Sequence, residues 1–145
     1  MARILFVCTG NTCRSPMAEA ILKSKQVPGV EVKSAGVYAV NGADASINAK
    51  IVLEENRIIH DHRSASLTKE DVEWASLILT MTEGHKAVLL DQYPEASDKI
   101  FTLKEYAEEN QNPDIADPFG GNQQIYHQSF LEIKENIEKI LKKIR

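Results

Sequence analysis

Short apolar runs alternate with longer stretches of helical periodicity along the whole chain, and this alternation limits the fold more than any other feature. Ile4-Leu5-Phe6-Val7 reads as a buried strand. Ser15 to Lys25 reads as a helix, with Pro16 suited to its first turn and Ala18, Ile21 and Leu22 on one face. Val30 to Val37 reads as a second strand, ended by the Asn41-Gly42 turn, and Ser46 to Glu55 as a helix with Ser46 as N-cap. Thr68-Lys69-Glu70-Asp71 combines an N-cap with a carboxylate-rich first turn and opens a short helix. Leu77-Ile78-Leu79-Thr80-Met81 reads as a third strand, Glu83 to Leu90 as a helix, and Lys99 to Leu103 as a fourth strand. Residues 105–121 lack periodicity and read as a long loop, and loops of that length are usually functional. Gln123 to Ile144 reads as a closing helix with Phe130, Ile133, Ile137, Ile140 and Ile144 on its apolar side.

Strand, helix, strand, helix implies an α/β fold: a three-layer, doubly wound, mostly parallel four-stranded sheet with helices on both faces. Such sheets bind ligands at the carboxyl ends of the strands, near the switch in strand order. The sequence shows no repeat or linker, so residues 1–145 read as one domain.

Composition narrows the function classes. With 43% hydrophobic and 26% charged residues, the chain has enough apolar content to fold. No apolar run approaches the roughly 20 residues that cross a bilayer, and ILFV is too short for a secretory signal, so no membrane partner is expected. Two cysteines, Cys8 and Cys13, are too few and too close to staple a chain of this size, which suggests reduced thiols in a cytoplasmic protein. A net charge of −4 speaks against nucleic acid as the main partner. The charge is uneven, however. Residues 1–33 carry Arg3, Arg14, Lys23, Lys25 and Lys33 against Glu19 and Glu31, a local excess of +3 that would draw an anion.

The chemistry concentrates in Cys8-Thr9-Gly10-Asn11-Thr12-Cys13-Arg14-Ser15, between the first strand and the first helix. A helix N-terminus presents free N–H groups, and its dipole favours an anion by about 0.3–1 kcal/mol. Gly10 lets the loop curl so that successive amides converge. Arg14 adds a planar fork that grips a phosphate through two hydrogen bonds. A helix N-terminus and a neighbouring arginine lower a thiol pKa, so Cys8 is expected to be a thiolate facing the bound phosphate.

Cys-x5-Arg-Ser about eight residues from the N-terminus, with Ser34-Ala35-Gly36 after the second strand and Asp117-Pro118 far downstream, resembles the low-molecular-weight protein tyrosine phosphatase family over nearly the whole chain. The resemblance implies that Cys8 is the nucleophile of a phosphocysteine intermediate. Arg14 would bind phosphate and stabilise the transition state. Ser15 would donate a hydrogen bond to the thiolate and help it leave. Asn11, supported by Ser34, would hold the loop in shape, while Thr9, Gly10, Thr12 and Cys13 complete the phosphate ring. Asp117 would protonate the leaving group and then activate water. A thiolate both attacks and leaves well, and phosphoryl transfer depends largely on positioning and electrostatics. Neither a cofactor nor a metal is expected. Inorganic phosphate is the expected product.

CTGNTCRS together with Asp117-Pro118-Phe119-Gly120-Gly121 resembles the bacterial protein arginine phosphatase branch. Where the tyrosine branch commonly has a larger aliphatic, this chain has Thr12, whose hydroxyl would accept an N–H of a phosphoguanidinium. An aliphatic there would leave that donor unpaired, at about 1–3 kcal/mol. Phe119 would stack on the guanidinium plane. Phosphorylated proteins are therefore the expected partners, through phosphoarginine or, alternatively, phosphotyrosine. A phosphate-binding module would need neither Arg14 nor Asp117, and an arsenate reductase would need more cysteines than these two.

The resemblance also suggests a reversible Cys8–Cys13 disulfide that shields the nucleophile from over-oxidation. His60-Asp61-His62 has the look of a metal motif, yet no further ligand lies near it in sequence. His85 and His127 read as surface positions on helices, Trp74 as a packing residue, and Tyr38, Ala39 and Val40 as lining the pocket mouth.

Overall fold

A computed structural model describes residues 2–108 and 112–144. Four parallel strands form one sheet: β1 (Ala2–Cys8), β2 (Val30–Gly36), β3 (Leu77–Thr80) and β4 (Ile100–Thr102), in the order β2-β1-β3-β4. From β1 the chain first winds to one side, then crosses to the other, so the switch in strand order lies at the carboxyl end of β1.

The period of two along β1 divides the core. Ile4, Phe6 and Cys8 face a cluster with Met17 and Ile21 of α1 (Arg14–Ser24), Val52 of α2 (Ile47–Glu55), and Phe130, Ile133, Ile137 and Ile140 of α6 (Gln123–Ile144). Leu5 and Val7 face the opposite cluster, with Val72 of α3 (Lys69–Trp74) and Leu89 of α4 (Glu83–Gln92). All four central residues of β1, Ile4 to Val7, are fully buried, which is why the run is continuously apolar rather than alternating.

Local signals explain most boundaries. Ser46 caps α2 by accepting from the Ala49 amide, and Thr68 with Asp71 forms a complete capping box for α3. Trp74 packs against the second cluster, as expected of a packing residue. Several boundaries differ from the sequence reading: α1 runs Arg14–Ser24 rather than Ser15–Lys25, α4 continues to Gln92, and β4 starts at Ile100. β1 begins at Ala2, two residues earlier. β2 ends at Gly36, and β3 at Thr80. Leu103 does not extend β4 but opens a one-turn helix, α5 (Leu103–Tyr106), because Thr102 and Glu105 form a second capping box. A 3-10 turn, Pro94–Lys99, precedes β4. Part of the expected loop over 105–121, residues 109–111, lies outside the described residues. Among the described residues no helix is long and apolar enough to cross a membrane.

Candidate active site

The register places the last residues of three strands side by side. Cys8 pairs with Gly36, and Val7 with both Ala35 and Thr80. The loop leaving β1 rises from this edge into α1, whose first residue is Arg14. No side chain caps α1, so the amides of its first turn remain available. Pro16 at its third position costs nothing there, because that amide would have no partner within the helix.

Asn11 holds the loop in shape. It has φ +57, a left-handed conformation that asparagine tolerates better than most side chains. It is fully buried, and each of its polar side-chain atoms is engaged. Its Nδ2 donates to Ser15 Oγ at 2.8 Å and to Ser34 Oγ at 2.9 Å, and its Oδ1 accepts from the Ala65 amide at 2.8 Å. His62 Nε2 lies 2.6 Å from the Asn11 carbonyl. Asn11 is therefore a support beneath the loop.

The bonds of Asn11 fix proton directions. Because Nδ2 only donates, Ser15 Oγ must accept from it, leaving the hydroxyl proton free for Cys8 Sγ at 2.8 Å. By the same logic Ser34 Oγ accepts from Asn11 and donates to Glu19 Oε1 at 2.5 Å. Burial pushes the Cys8 thiol up from its ordinary value. The Ser15 hydroxyl, the Ser15 amide, the Arg14 charge and the Asn11 amide pull it down but do not overcome burial. The expectation of a lowered thiol pKa is thus corrected. Sequence shows the stabilising neighbours but not the depth at which the sulfur sits.

Gly36 is where β2 meets this loop. A Cβ there would stand 2.5 Å from the Thr9 carbonyl oxygen and 2.9 Å from the Asn11 nitrogen, so only glycine fits. The amides of Val37 and Tyr38 donate to the carbonyls of Cys8 and Thr9.

Arg14, 5% exposed, donates from Nη1 to the Ile115 carbonyl at 3.0 Å, and its Nη2 lies 3.6 Å from Asp117 Oδ2. The loop bearing Asp117 is tied down on both sides: the Ile115 amide to the Met81 carbonyl, the Ala116 amide to Glu132, and Ser129 to the Ala116 carbonyl. The two glycines after Phe119 serve the turn. Gly120 has φ +78, and a Cβ on Gly121 would meet the Pro118 carbonyl oxygen and Ile125 at 2.9 Å. Asp117 Oδ1 accepts from the Phe119 amide, which sets the carboxylate's direction.

Cys8, Thr9, Gly10, Thr12, Cys13, Arg14, Asp117 and Phe119 line one cavity of about 230 Å³. Phe119 is largely exposed at its edge. Ser15 and Ser34 stand behind the lining residues and act through Cys8 and Asn11. Tyr38, Ala39 and Val40 do not line the cavity, and the side chains of Tyr38 and Val40 stand in solvent. Both cysteines are free thiols. Cys13 Sγ contacts Tyr126 Oη at 3.3 Å and Ser46 Oγ at 3.7 Å.

Sequence reasoning missed His85. It is buried rather than at the surface, with Nε2 2.8 Å from Thr9 Oγ1 and Nδ1 3.0 Å from Thr82 Oγ1. Burial, then the Arg14 charge, lowers its pKa to about 4, so the ring is neutral at physiological pH, with one nitrogen donating and the other accepting. The helical position alone gave no sign of this, although the Thr82 N-cap three residues earlier aims the ring inward. His127 is exposed, as expected.

A thiol at the floor of an anion cavity, a buried guanidinium beside it and a carboxylate at its edge define a class: phosphatases that work through a cysteine. Residues 3–145 match the family described as low molecular weight phosphotyrosine protein phosphatase, and the chain belongs to that family. It is 52% identical over 143 residues to a protein-arginine-phosphatase of Geobacillus stearothermophilus, covering 99% of this chain and 96% of that one. It is 38% identical over 138 residues to the low molecular weight protein-tyrosine-phosphatase PtpB of Staphylococcus epidermidis, covering 95% and 96%. Among solved structures it superposes on the YwlE arginine phosphatase from Geobacillus stearothermophilus with a TM-score of 0.96, over 99% of this chain and 93% of that one at 52% identity.

Proposed function

We propose that this phosphatase hydrolyses phosphoarginine in proteins through a phosphocysteine intermediate. Substrate phosphate enters the loop between Thr9 and Cys13, its oxygens held by loop amides and by Arg14. Cys8 gives its proton to the incoming phosphate dianion and the resulting thiolate attacks phosphorus; the P–N bond breaks, and Asp117 delivers its own proton to the departing guanidine nitrogen. The carboxylate of Asp117 then takes a proton from water as that water attacks the phosphocysteine. The S–P bond breaks, and inorganic phosphate leaves. The Ser15 hydroxyl, turned toward Cys8 by Asn11, stabilises the thiolate as nucleophile and again as leaving group. No step calls for a metal or a redox cofactor.

The observation that carries the arginine reading is Thr12, whose hydroxyl-bearing side chain lines the same cavity as Arg14, Asp117 and Phe119. A guanidinium brings several N–H donors into that cavity. Thr12 and Asp117 supply acceptors for them, whereas a phenyl ring would leave the hydroxyl unpaired. Relatives named protein-arginine-phosphatase at 52% and 44% identity support the same reading.

The test compares kcat/KM on phosphoarginine and phosphotyrosine peptides of one sequence, with Cys8→Ser as the blank. Phosphoarginine should be strongly preferred. Thr12→Ile should lower phosphoarginine turnover about 10-fold or more, the equivalent of one lost hydrogen bond, while leaving phosphotyrosine turnover largely intact. An equal fall on both substrates would remove Thr12 from specificity. Preference for phosphotyrosine would overturn the arginine assignment and keep the mechanism. Failure to hydrolyse even p-nitrophenyl phosphate, with folding and phosphate binding intact, would make the chain a phosphate-binding module.

A further inference from the structure

Glu19 of α1 meets His60 and His62, from the segment between α2 and α3, behind the phosphate loop. The sequence offered only the two histidines; the fold supplies the carboxylate. One ligand atom from each residue lies within 4.8 Å of the others. Glu19 Oε2 is 3.8 Å from His60 Nε2, and Glu19 Oε1 is 3.8 Å from His62 Nδ1. The side chains of His60 and His62 are only 7% and 4% exposed.

Two features make this more than a polar cluster. First, His60 Nε2 is buried and has no hydrogen-bond partner, an arrangement that costs about 1–3 kcal/mol and calls for an explanation. It points toward Glu19. Second, His62 Nε2 faces the Asn11 carbonyl at 2.6 Å, so that nitrogen carries the proton. That bond turns Nδ1 toward Glu19 Oε1, 3.8 Å away. A metal-ligating histidine has the same arrangement, its second nitrogen donating to a backbone carbonyl.

We propose that Glu19, His60 and His62 form a binding site for a zinc-class divalent transition ion. Two imidazoles and one carboxylate suit zinc, with a fourth position for water. Bonds of about 2.0–2.1 Å place tetrahedral ligands about 3.4 Å apart, so ligand atoms that lie within 4.8 Å of one another draw together by up to about 1.4 Å as the ion binds. Lys23 Nζ, 2.6 Å from Glu19 Oε2, competes for the carboxylate, and its half-exposed side chain can swing into solvent as the ion enters. A surface cleft of about 320 Å³ lined by His60 and His62 provides the path. The site is wired to the catalytic loop. His62 holds the Asn11 carbonyl, and Ser34 joins Glu19 to the Asn11 side chain. An ion bound here fixes the His62 tautomer and with it the support under the phosphate loop.

Cobalt titration of the full chain in a Cys8→Ser/Cys13→Ser background tests the site without interference from thiols. A single saturable site should appear, with the visible bands of tetrahedral Co²⁺, and zinc should displace the cobalt. His60→Ala should weaken binding about tenfold or more, and Lys23→Ala, which removes the competing ammonium, should tighten it. The lysine variant leaves the buried side chains untouched, so the proposal stays testable if His60→Ala fails to fold. No saturable cobalt signal, or an affinity indifferent to both substitutions, would overturn it. The cluster would then hold protons only.

Discussion

Ser15 shows how much of this site is decided by which atom owns a proton. Its hydroxyl lies 2.8 Å from both Cys8 Sγ and Asn11 Nδ2, and since the amide nitrogen cannot accept, the hydroxyl proton is free for the sulfur once that is a thiolate. This bond is one of the contacts that oppose the effect of burial on the Cys8 thiol. Ser15→Ala should therefore push that thiol further up. The pH profile of Cys8 alkylation by iodoacetamide should move to higher pH, and kcat should fall about 10- to 100-fold, the worth of a hydrogen bond to a charged group. An unmoved profile would mean that Ser15 only shapes the loop. At this scale the sequence was legible wherever chemistry and spacing coincide. Cys8, Arg14 and Ser15 share one short segment, and Thr12 and Cys13 line the cavity beside them. Glu19, His62 and His85 were not legible in these roles. Each sits in a segment whose local pattern is ordinary, and each gains its partner only when the fold brings distant residues together.

The end of β2 and the loop after β1 fit with no room to spare. An alanine at Gly36 would put its Cβ 2.5 Å from the Thr9 carbonyl oxygen and 2.9 Å from the Asn11 nitrogen, both backbone atoms that cannot rotate away. The loop must shift instead. Overpacking of this kind costs about 1–3 kcal/mol, and a displacement near 1 Å at a reacting centre costs about 10²-fold in rate. Gly36→Ala should thus lose roughly that much turnover while still unfolding cooperatively in urea. Unchanged kcat with a stable fold would show that the loop tolerates the shift. The Ser34-Ala35-Gly36 motif was readable as a motif, yet its cause was not, because steric closeness between two strands' ends leaves no periodicity. The same holds for α5. Its capping box, Thr102 with Glu105, lies across the expected boundary of a strand, and the apolar Leu103 disguised the turn. Long elements were read well because period and burial agree over many residues, as in α6, where Phe130, Ile133, Ile137 and Ile140 are all fully buried.

Across the whole molecule, the site lies where the sheet changes direction, and the layers on both faces contribute to it. α1 brings Arg14 and Ser15 from one face, α4 brings His85 from the other, and the loop before α6 brings Asp117 over the top. This arrangement links catalysis to global stability through His85. In the unfolded chain a histidine takes up a proton below about pH 6.5. In the fold, burial and the Arg14 charge hold its pKa at about 4. Between those values the unfolded chain binds more protons than the native one, so stability rises with pH through the window and falls as pH drops. The contribution is complete above about pH 6.5 and is lost as pH falls toward 4. His85→Gln keeps a donor and an acceptor for Thr9 and Thr82 but removes the titration. Urea unfolding should find the wild type more stable than His85→Gln at pH 7.5, with the gap shrinking steadily toward pH 4.5 while the shared carboxylate titrations cancel. A gap that stays constant over that range would mean that His85 exchanges protons as freely in the fold as in solution, and that Thr9 is not held by a neutral ring.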